Sequence, residues 1–597
     1  MSHYKSNLRD IEFNVFEFLR VQDYLKEDLW PGVDSDTIRD VLSEIERLAR
    51  EDYAASYVDQ DRIPLKLENG EIKLPESVKK SIAAFKEGGW DSIGLPVEMG
   101  GTPMPAPVTW SMTEMLCAAN TTVQFYAGGA LFARVLFEEG TEEQKEFARL
   151  WAERGWAGTM VLTEPDAGSD VGAGTTKAID QGDGTWHIEG VKRFITSGEH
   201  DSAENIIHLV LARPVGAGPG TKGLSLFMVP KYLVNPDGSL GPRNGVFATN
   251  IEKKMGLKGS ATCELTFGGE IPAVGYLVGD KHDGIRQMFR VIEYARMMIG
   301  VKAMGTLSTG YLNALEYAQQ RIQGADLTQA SDKTAPRVPI IRHPDVRRML
   351  MEQKAYAEGL RALCLYTGWV QDMERLHPED DIWARRNDLL LPLVKGYSSE
   401  KAYGLLSLAL QVFGGSGYTQ DYPLEQYIRD AKIDTIYEGT TGIQALDLFF
   451  RKIARDQGAA LASLSAEIAE FVKAGDADDA LASERELLGK MLDDAQAHIG
   501  KMVEHLLASM GGQAEEIYKV GLQATPLLES IAEVVISWLM LRQAEIALPK
   551  AGDDPFYQGK VAAARWLVRD VAPKVAARSQ RAQGEDGSLM DLPVEAF

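Results

Sequence analysis

Residues 182–196 read GDGTWHIEGVKRFIT. The turn signal Gly182-Asp183-Gly184 leads into a run in which Trp186 and Ile188 alternate with His187 and Glu189, the period-two pattern of a half-buried strand. Three further stretches share this texture: Asn205–Ala212 (NIIHLVLA), Gly223–Val229 (GLSLFMV) and Thr262–Phe267 (TCELTF). Short strands separated by turn residues predict an antiparallel sandwich or barrel between about Gly155 and Pro272.

Helical periodicity lies on both sides. Thr37–Tyr53 spaces Ile38, Val41, Leu42, Ile45 and Leu48 by threes and fours, with Asp40, Glu44 and Arg47 opposite and Asp34, Ser35 or Asp36 available as a cap. After the β segment, Met288–Met304, Leu307–Gln320, Arg347–Val370 and Leu389–Val412 carry apolar faces long enough for bundle helices. Gly324–His343, polar and with two prolines, reads as an ordered loop or insertion. A last helical block follows Gln457, with Leu488, Met491, Leu492, Ala495, Ile499, Val503 and Leu506 as its stripe. The expected segments are 1–155 helical, 156–272 β, 273–456 bundle and 457–597 additional helices, an α+β chain.

Composition narrows the function. The 597 residues carry 63 Lys+Arg against 86 Asp+Glu, a net charge of −23, which repels phosphate backbones and excludes nucleic acid as a partner. Cys117, Cys263 and Cys364 are too few and too scattered for a disulfide framework or a zinc cluster and fit a reducing compartment. The first thirty residues contain Arg9, Asp10, Glu12, Glu17 and Arg20, unlike a signal peptide. The apolar run Val534–Leu541 (VVISWLML) is far below the ~20 residues of a membrane span, so no transmembrane segment and a cytoplasmic location are expected.

The common catalytic signatures are missing: no G-x-G-x-x-G between strand and helix, no P-loop, no G-x-S-x-G and no HExxH. His498 and His505 sit beside Ile499 and Leu506 and read as solvated flanking residues, and no metal site is expected. Two loops remain. Met160–Asp170 (MVLTEPDAGSD) frees backbone at Pro165 and Gly168 and offers hydroxyls at Thr163 and Ser169, either as a capped turn or as a seat for a polar ring edge or an anion. In Ile436–Thr441 (IYEGTT), Thr440 or Thr441 caps the helix carrying Ile443, Leu446, Phe449, Phe450 and Ile453. Glu438 then lies just before a helix N-terminus, where a carboxylate serves either the helix dipole or a reaction.

At these loops the chain resembles the acyl-CoA dehydrogenase family. MVLTEPDAGSD, GVKRFITSG (Gly190–Gly198), KKMGLKGSATCELTF (Lys253–Phe267), QVFGGSGYTQDYPLEQYIRDAKI (Gln411–Ile433) and IYEGTTGIQ (Ile436–Gln444) occur in the family's order over about residues 75 to 450. The start HYKSNLRDIEFNVFEFL and the extra C-terminal residues resemble a long subclass, which takes in fatty acyl-CoA dehydrogenases of β-oxidation and 3-methylmercaptopropionyl-CoA dehydrogenases, the fatty acyl enzymes being the nearer.

The resemblance implies an N-terminal helical domain, a middle antiparallel β-domain, a C-terminal four-helix bundle and an additional helical domain. It also implies FAD and the α,β-dehydrogenation of an acyl-CoA to a trans-2-enoyl-CoA, with electrons passed to an electron-transferring flavoprotein. Glu438 matches the family's base. Met160, Leu162, Thr163, Phe194 and Thr196 match flavin contacts, while Gln411, Gly414, Gly415, Thr440 and Arg321 match contacts to the rest of FAD, some made across a homodimer. Ser169, Arg296, Tyr437 and Gly439 match the substrate side. Where some members carry the base immediately before the bundle arginine, this chain has Ala295 before Arg296, and Glu293 is turned away by about 200° of helix.

Two departures stand out. Phe194 replaces the usual tryptophan, and Arg321-Ile-Gln-Gly324 with an insertion replaces R-x-x-F-G. An O₂-using flavin oxidase or monooxygenase and a non-catalytic acyl-CoA-binding homologue are the alternatives from other classes.

Overall fold

The structure, a computed structural model, describes residues 2–475 and 480–597. Two compact units interleave along the chain: Met1–Ser6, Leu25–Pro105 and Met112–Ala295 form the first, and Asn7–Tyr24, Ala106–Ser111 and Arg296–Phe597 the second.

The first unit holds the sheet. Its strands are β1 (Ala157–Val161), β2 (Lys177–Asp180), β3 (Trp186–Thr196), β4 (Ile206–Pro214), β5 (Ser225–Pro230), β6 (Val246–Ile251), β7 (Thr262–Phe267) and β8 (Ala273–Leu277), in the order β6-β7-β3-β8-β5-β4-β1, with β2 beside β3 and β4. The strand positions follow the sequence reading, but the antiparallel expectation needs correcting. β4 runs parallel to β1 and to β2, while the remaining pairs in the sheet are antiparallel. The reason is legible in β4 itself: it is buried at all positions but one, and its continuous apolar run suits a strand covered on both faces. Helices Gly129–Glu139 and Glu142–Arg154 supply part of that cover, with Ala133, Leu136, Trp151 and Trp156 packed into a cluster with Leu209, Leu226 and Met228.

Helices build the second unit: α1 (Gly284–Gln320, from Arg296 onward), α2 (Pro344–Leu376), α3 (Ile382–Pro392), α4 (Ser398–Phe413), α5 (Leu424–Ala431), α6 (Thr441–Asp447), α7 (Ala459–Lys473), α8 (Ala482–Met510), α9 (Glu516–Ala547) and α10 (Pro555–Gln583). The two stretches expected between Met288 and Gln320 are one helix of 37 residues. A small hairpin, Ile322–Ala325 against Arg337–Pro339, overlaps the Gly324–His343 loop and begins two residues before it. α9 is long and apolar enough to cross a membrane by length and composition, yet 83% of its apolar window is buried inside the protein; Val534–Leu541 is the middle of this core helix.

The histidine reading is overturned. His498 is fully buried and His505 nearly so, because α8 packs against both α9 and α10 and buries a wider face than its aliphatic stripe suggests. Burial pushes the His498 imidazole down to about 4, and His505 Nδ1 lies 2.6 Å from Glu516 Oε2.

The N-terminal segment is bound into the second unit by charge. Asp10 is completely buried, with Arg361 Nη1 at 2.6 Å and Lys560 Nζ at 2.8 Å; Lys560 also meets Glu358 at 3.1 Å, and Arg361 Nη2 donates to Ser308 Oγ. Removing one partner of such a cluster strands the others in a dry interior. Asp10→Ala should therefore cost ~3–5 kcal/mol in urea unfolding; a loss below about 1 kcal/mol would show that the cations find other partners.

Candidate active site

The catalytic candidate sits in a strained turn between two short helical pieces. A 3-10 turn, Lys432–Thr435, runs into Ile436–Gly439, and Thr440 then caps α6, its Oγ1 accepting from Ile443 N. Glu438 has φ +55° and Gly439 φ +87°. A left-handed non-glycine residue costs free energy and persists only where its surroundings enforce it. Here they do: Gln444 Nε2 donates to the Glu438 carbonyl at 3.0 Å and the Gly439 carbonyl at 3.3 Å, and Lys395 Nζ donates to the Gly439 carbonyl at 2.6 Å. The φ of Gly439 requires glycine, and a Cβ there would also lie 2.7 Å from Gln444 Nε2 and displace the amide that holds the turn.

Beneath the turn lies a buried charge network. Asp434 accepts from Lys302 Nζ at 2.6 and 2.7 Å and from the Tyr437 hydroxyl at 2.8 Å. Arg296, 8% exposed, pairs with Asp447 of α6 at 2.9 Å. Burial raises the Glu438 carboxyl to about 7, with Arg296 and Lys395 pulling in the other direction. Among the described residues no side chain hydrogen-bonds that carboxylate, and no carbonyl or side chain accepts the Glu438 N–H. The turn thus presents an uncommitted base beside an uncommitted donor.

Tyr437, Glu438, Gly439, Thr440 and Arg296 are therefore brought together. A second group in the same unit gathers Arg321, Gln411, Gly414 and Gly415. Tyr317, one turn before Arg321, stacks on Phe413 with ring centroids 4.3 Å apart, and its hydroxyl lies 3.3 Å from Ser416 Oγ. The end of α1 is thereby fixed beside the 414–418 turn. Gln411, Gly414 and Gly415 are exposed, Gly414 has φ +61°, and nothing lies within 4 Å of a Cβ built on either glycine. Arg321 is exposed, and its guanidinium has no ion pair or hydrogen bond among the described residues.

The remaining predicted residues belong to the first unit. Lys192, buried and lowered to about 8 by desolvation, holds the start of the Met160–Asp170 loop: its Nζ donates to the Leu162 carbonyl and to Glu164. Glu164 also accepts from the backbone of Thr175 and Thr176. Arg193 N donates to the Thr163 carbonyl at 2.9 Å, joining loop to strand. The β3–β7 register slips between Leu265 and Cys263, so Arg193 and Phe194 together oppose Glu264. This bulge, with Phe194 at φ +61°, turns the Phe194 ring outward until it is 55% exposed. Met160, Leu162, Thr163 and Thr196 are half-buried and Ser169 is exposed. The hydroxyls of Thr163, Thr196 and Ser169 have no partner among the described residues.

Sequence reasoning missed Lys395, Lys302, Asp434, Gln444 and the Glu164–Lys192 pair. The available signal was a lysine inside the apolar run LLLPLVKGY, since a lysine is seldom buried without a task.

Comparison with known proteins gives a consistent result. A family model for the acyl-CoA dehydrogenase C-terminal domain matches residues 282–451, the acyl-CoA dehydrogenase middle-domain model matches 159–269, and a model described as acetyl-CoA dehydrogenase C-terminal like matches 464–593. The broad-specificity linear acyl-CoA dehydrogenase FadE5 of Mycobacterium tuberculosis is 55% identical, with 100% of both chains aligned. The 3-methylmercaptopropionyl-CoA dehydrogenase of Ruegeria pomeroyi is 36% identical over 98% of this chain and 99% of its own. Among solved structures, an acyl-CoA dehydrogenase complexed with FAD from Bacillus anthracis superposes with TM-score 0.73 at 20% identity, covering 96% of this chain and 93% of that one.

The raised affinity of Glu438 for its proton can be read directly. In infrared difference spectra of wild type against Glu438→Gln, the carboxylic C=O band should fade as pH rises through about 7. A band fading near the ordinary glutamate value of about 4.3 would contradict the desolvated turn.

Proposed function

The chain belongs to the acyl-CoA dehydrogenase family, and from that premise we propose that it desaturates linear fatty acyl-CoA thioesters between Cα and Cβ with Glu438 as the base. The observation that carries the assignment is Glu438 itself: its backbone strained, its carboxylate desolvated and without a hydrogen-bond partner among the described residues, and followed by a glycine and a helix cap. A thioester α-proton is weakly acidic, so its removal needs a base of raised affinity and stabilisation of the enolate oxygen. Ionised Glu438 takes the α-proton, and its own unengaged N–H faces the developing charge as one oxyanion donor. Tyr437 and Gly439 flank the base, and Arg296 stays committed to Asp447 and holds α6 in place.

The enzyme uses FAD, and the residues present suit that group. Unpartnered hydroxyls at Thr163 and Thr196, an outward Phe194 ring and half-buried Met160 and Leu162 offer polar donors and an aromatic wall for an isoalloxazine ring. The open glycines at 414 and 415, exposed Gln411, unpaired Arg321 and Thr440 suit the diphosphate and adenosine portions. When bound, FAD supplies the two-electron acceptor for the β-hydrogen. Ser169 would contact the CoA side of the substrate.

The exposed Arg321 and the open, exposed glycines 414 and 415 support a homodimer in which this face meets the partner's cofactor. We further assign an electron-transferring flavoprotein as acceptor, a cytoplasmic setting in keeping with three buried, scattered cysteines, and the division 1–155, 156–272, 273–456 and 457–597.

Glu438→Gln should keep its bound flavin and lose at least ~10²-fold in turnover, the usual scale of general-base catalysis. Near-normal turnover would remove the assignment. Steady-state kcat/KM across short, medium, long and thioether acyl-CoAs should favour the linear fatty substrates over the 3-methylmercaptopropionyl thioester.

A further inference from the structure

We propose that Lys395 is a positioning residue for the reaction: from a π-helical turn it holds the Glu438–Gly439 backbone through the Gly439 carbonyl and sets a buried cation beside the base. The proposal rests on Glu438 being that base and adds a second cation, beside Arg296, that restrains its affinity for a proton.

The placement begins with Pro392. Lacking an N–H, it interrupts the hydrogen-bond ladder at the end of α3, and the chain continues as a π-helical turn, Leu393–Tyr397, before α4. Lys395 lies in the middle of that turn and is completely buried. Its neighbour Gly396 fixes the turn from both sides: a Cβ there would sit 3.2 Å from Gln444 Cβ of α6 and 3.3 Å from Leu528 Cδ1 of α9. From there the Lys395 side chain reaches the catalytic turn at the Gly439 carbonyl.

Its surroundings leave it one task. Among the described residues the Gly439 carbonyl is the sole hydrogen-bond acceptor of Nζ, which is poor solvation for a buried ammonium. The charged groups that act on it are Asp434 of the 3-10 turn, Glu438, Arg296 of α1 and Glu400 of α4. Asp434 is already held by Lys302 and Tyr437, Glu400 takes the Thr441 hydroxyl, and Arg296 is paired with Asp447. The remaining anion, with no hydrogen-bonded partner on its carboxylate among the described residues, is Glu438. Burial lowers Lys395 to about 8 and raises Glu438 to about 7, so near neutrality the cation is present when the carboxylate ionises. Without it the burial of Glu438 would be opposed by Arg296 alone.

The test is kcat/KM against pH for the full-length, FAD-loaded enzyme and its Lys395→Met, Lys395→Gln and Lys395→Arg variants. Loss of the cation raises the proton affinity of Glu438, so the acid limb should move up by about one pH unit in the Met and Gln variants. Arginine keeps the charge and should leave the limb in place even if turnover falls. Should the Met variant fail to fold with flavin bound, the Gln variant decides, because it keeps a donor for the Gly439 carbonyl. Unmoved limbs in the neutral variants, or an equal movement with arginine, would overturn the proposal. Glu438→Gln measured alongside separates the two readings. Turnover surviving there removes the base itself, whereas turnover lost there with unmoved Lys395 limbs removes only the role of Lys395.

Discussion

Drying a carboxylate is what the second unit is arranged to do. A glutamate in water is too weak a base for a thioester α-proton, and one buried without compensation would stay protonated. Glu438 lies between these limits: burial raises it, and Arg296 and Lys395 restrain it to about 7. Each restraining cation is itself fixed, Arg296 by Asp447 and Lys395 by the Gly439 carbonyl. The backbone is left-handed at 438 and 439, and among the described residues the Glu438 N–H is unengaged.

This gives the additional C-terminal helices a place in the chemistry. α9 packs against α6 and against the π-helical turn, with Leu528 seated over Gly396. Its Glu533 receives the Tyr397 hydroxyl from that turn and the Arg578 guanidinium from α10. The additional helices thus back the turn that carries Glu438.

Legibility in the sequence followed distance along the chain. The turn at Glu438, Gly439 and Thr440 could be read because an acid, a left-handed glycine and a cap are consecutive letters before an amphipathic helix. β3 and β7 could be read because alternation is local, whereas the parallel pairing of β4 depends on partners the alternation does not name. Lys395 reaches Gly439 across 44 residues and Lys302 reaches Asp434 across 132, so the apolar run around Lys395 marks a buried lysine but neither neighbourhood names the partner. His498 misled for a related reason: a helix covered by two neighbours buries polar positions that a single-stripe reading assigns to water. At Arg321 the family motif breaks, and the hairpin that follows shows where the extra residues go: they extend the chain beyond the end of α1 and leave that helix intact.

The buried Asp10 also constrains the order of manufacture. Its two cationic partners come from α2 and α10, so an aspartate made among the first residues waits on the ribosome for a lysine 550 residues downstream. The second unit cannot close as it is synthesised; a chain stopped before Lys560 carries Asp10 and Arg361 without their third member. Assembly from the two ends is therefore a late, long-range event, of the kind that rewards chaperone custody of a nearly finished polypeptide.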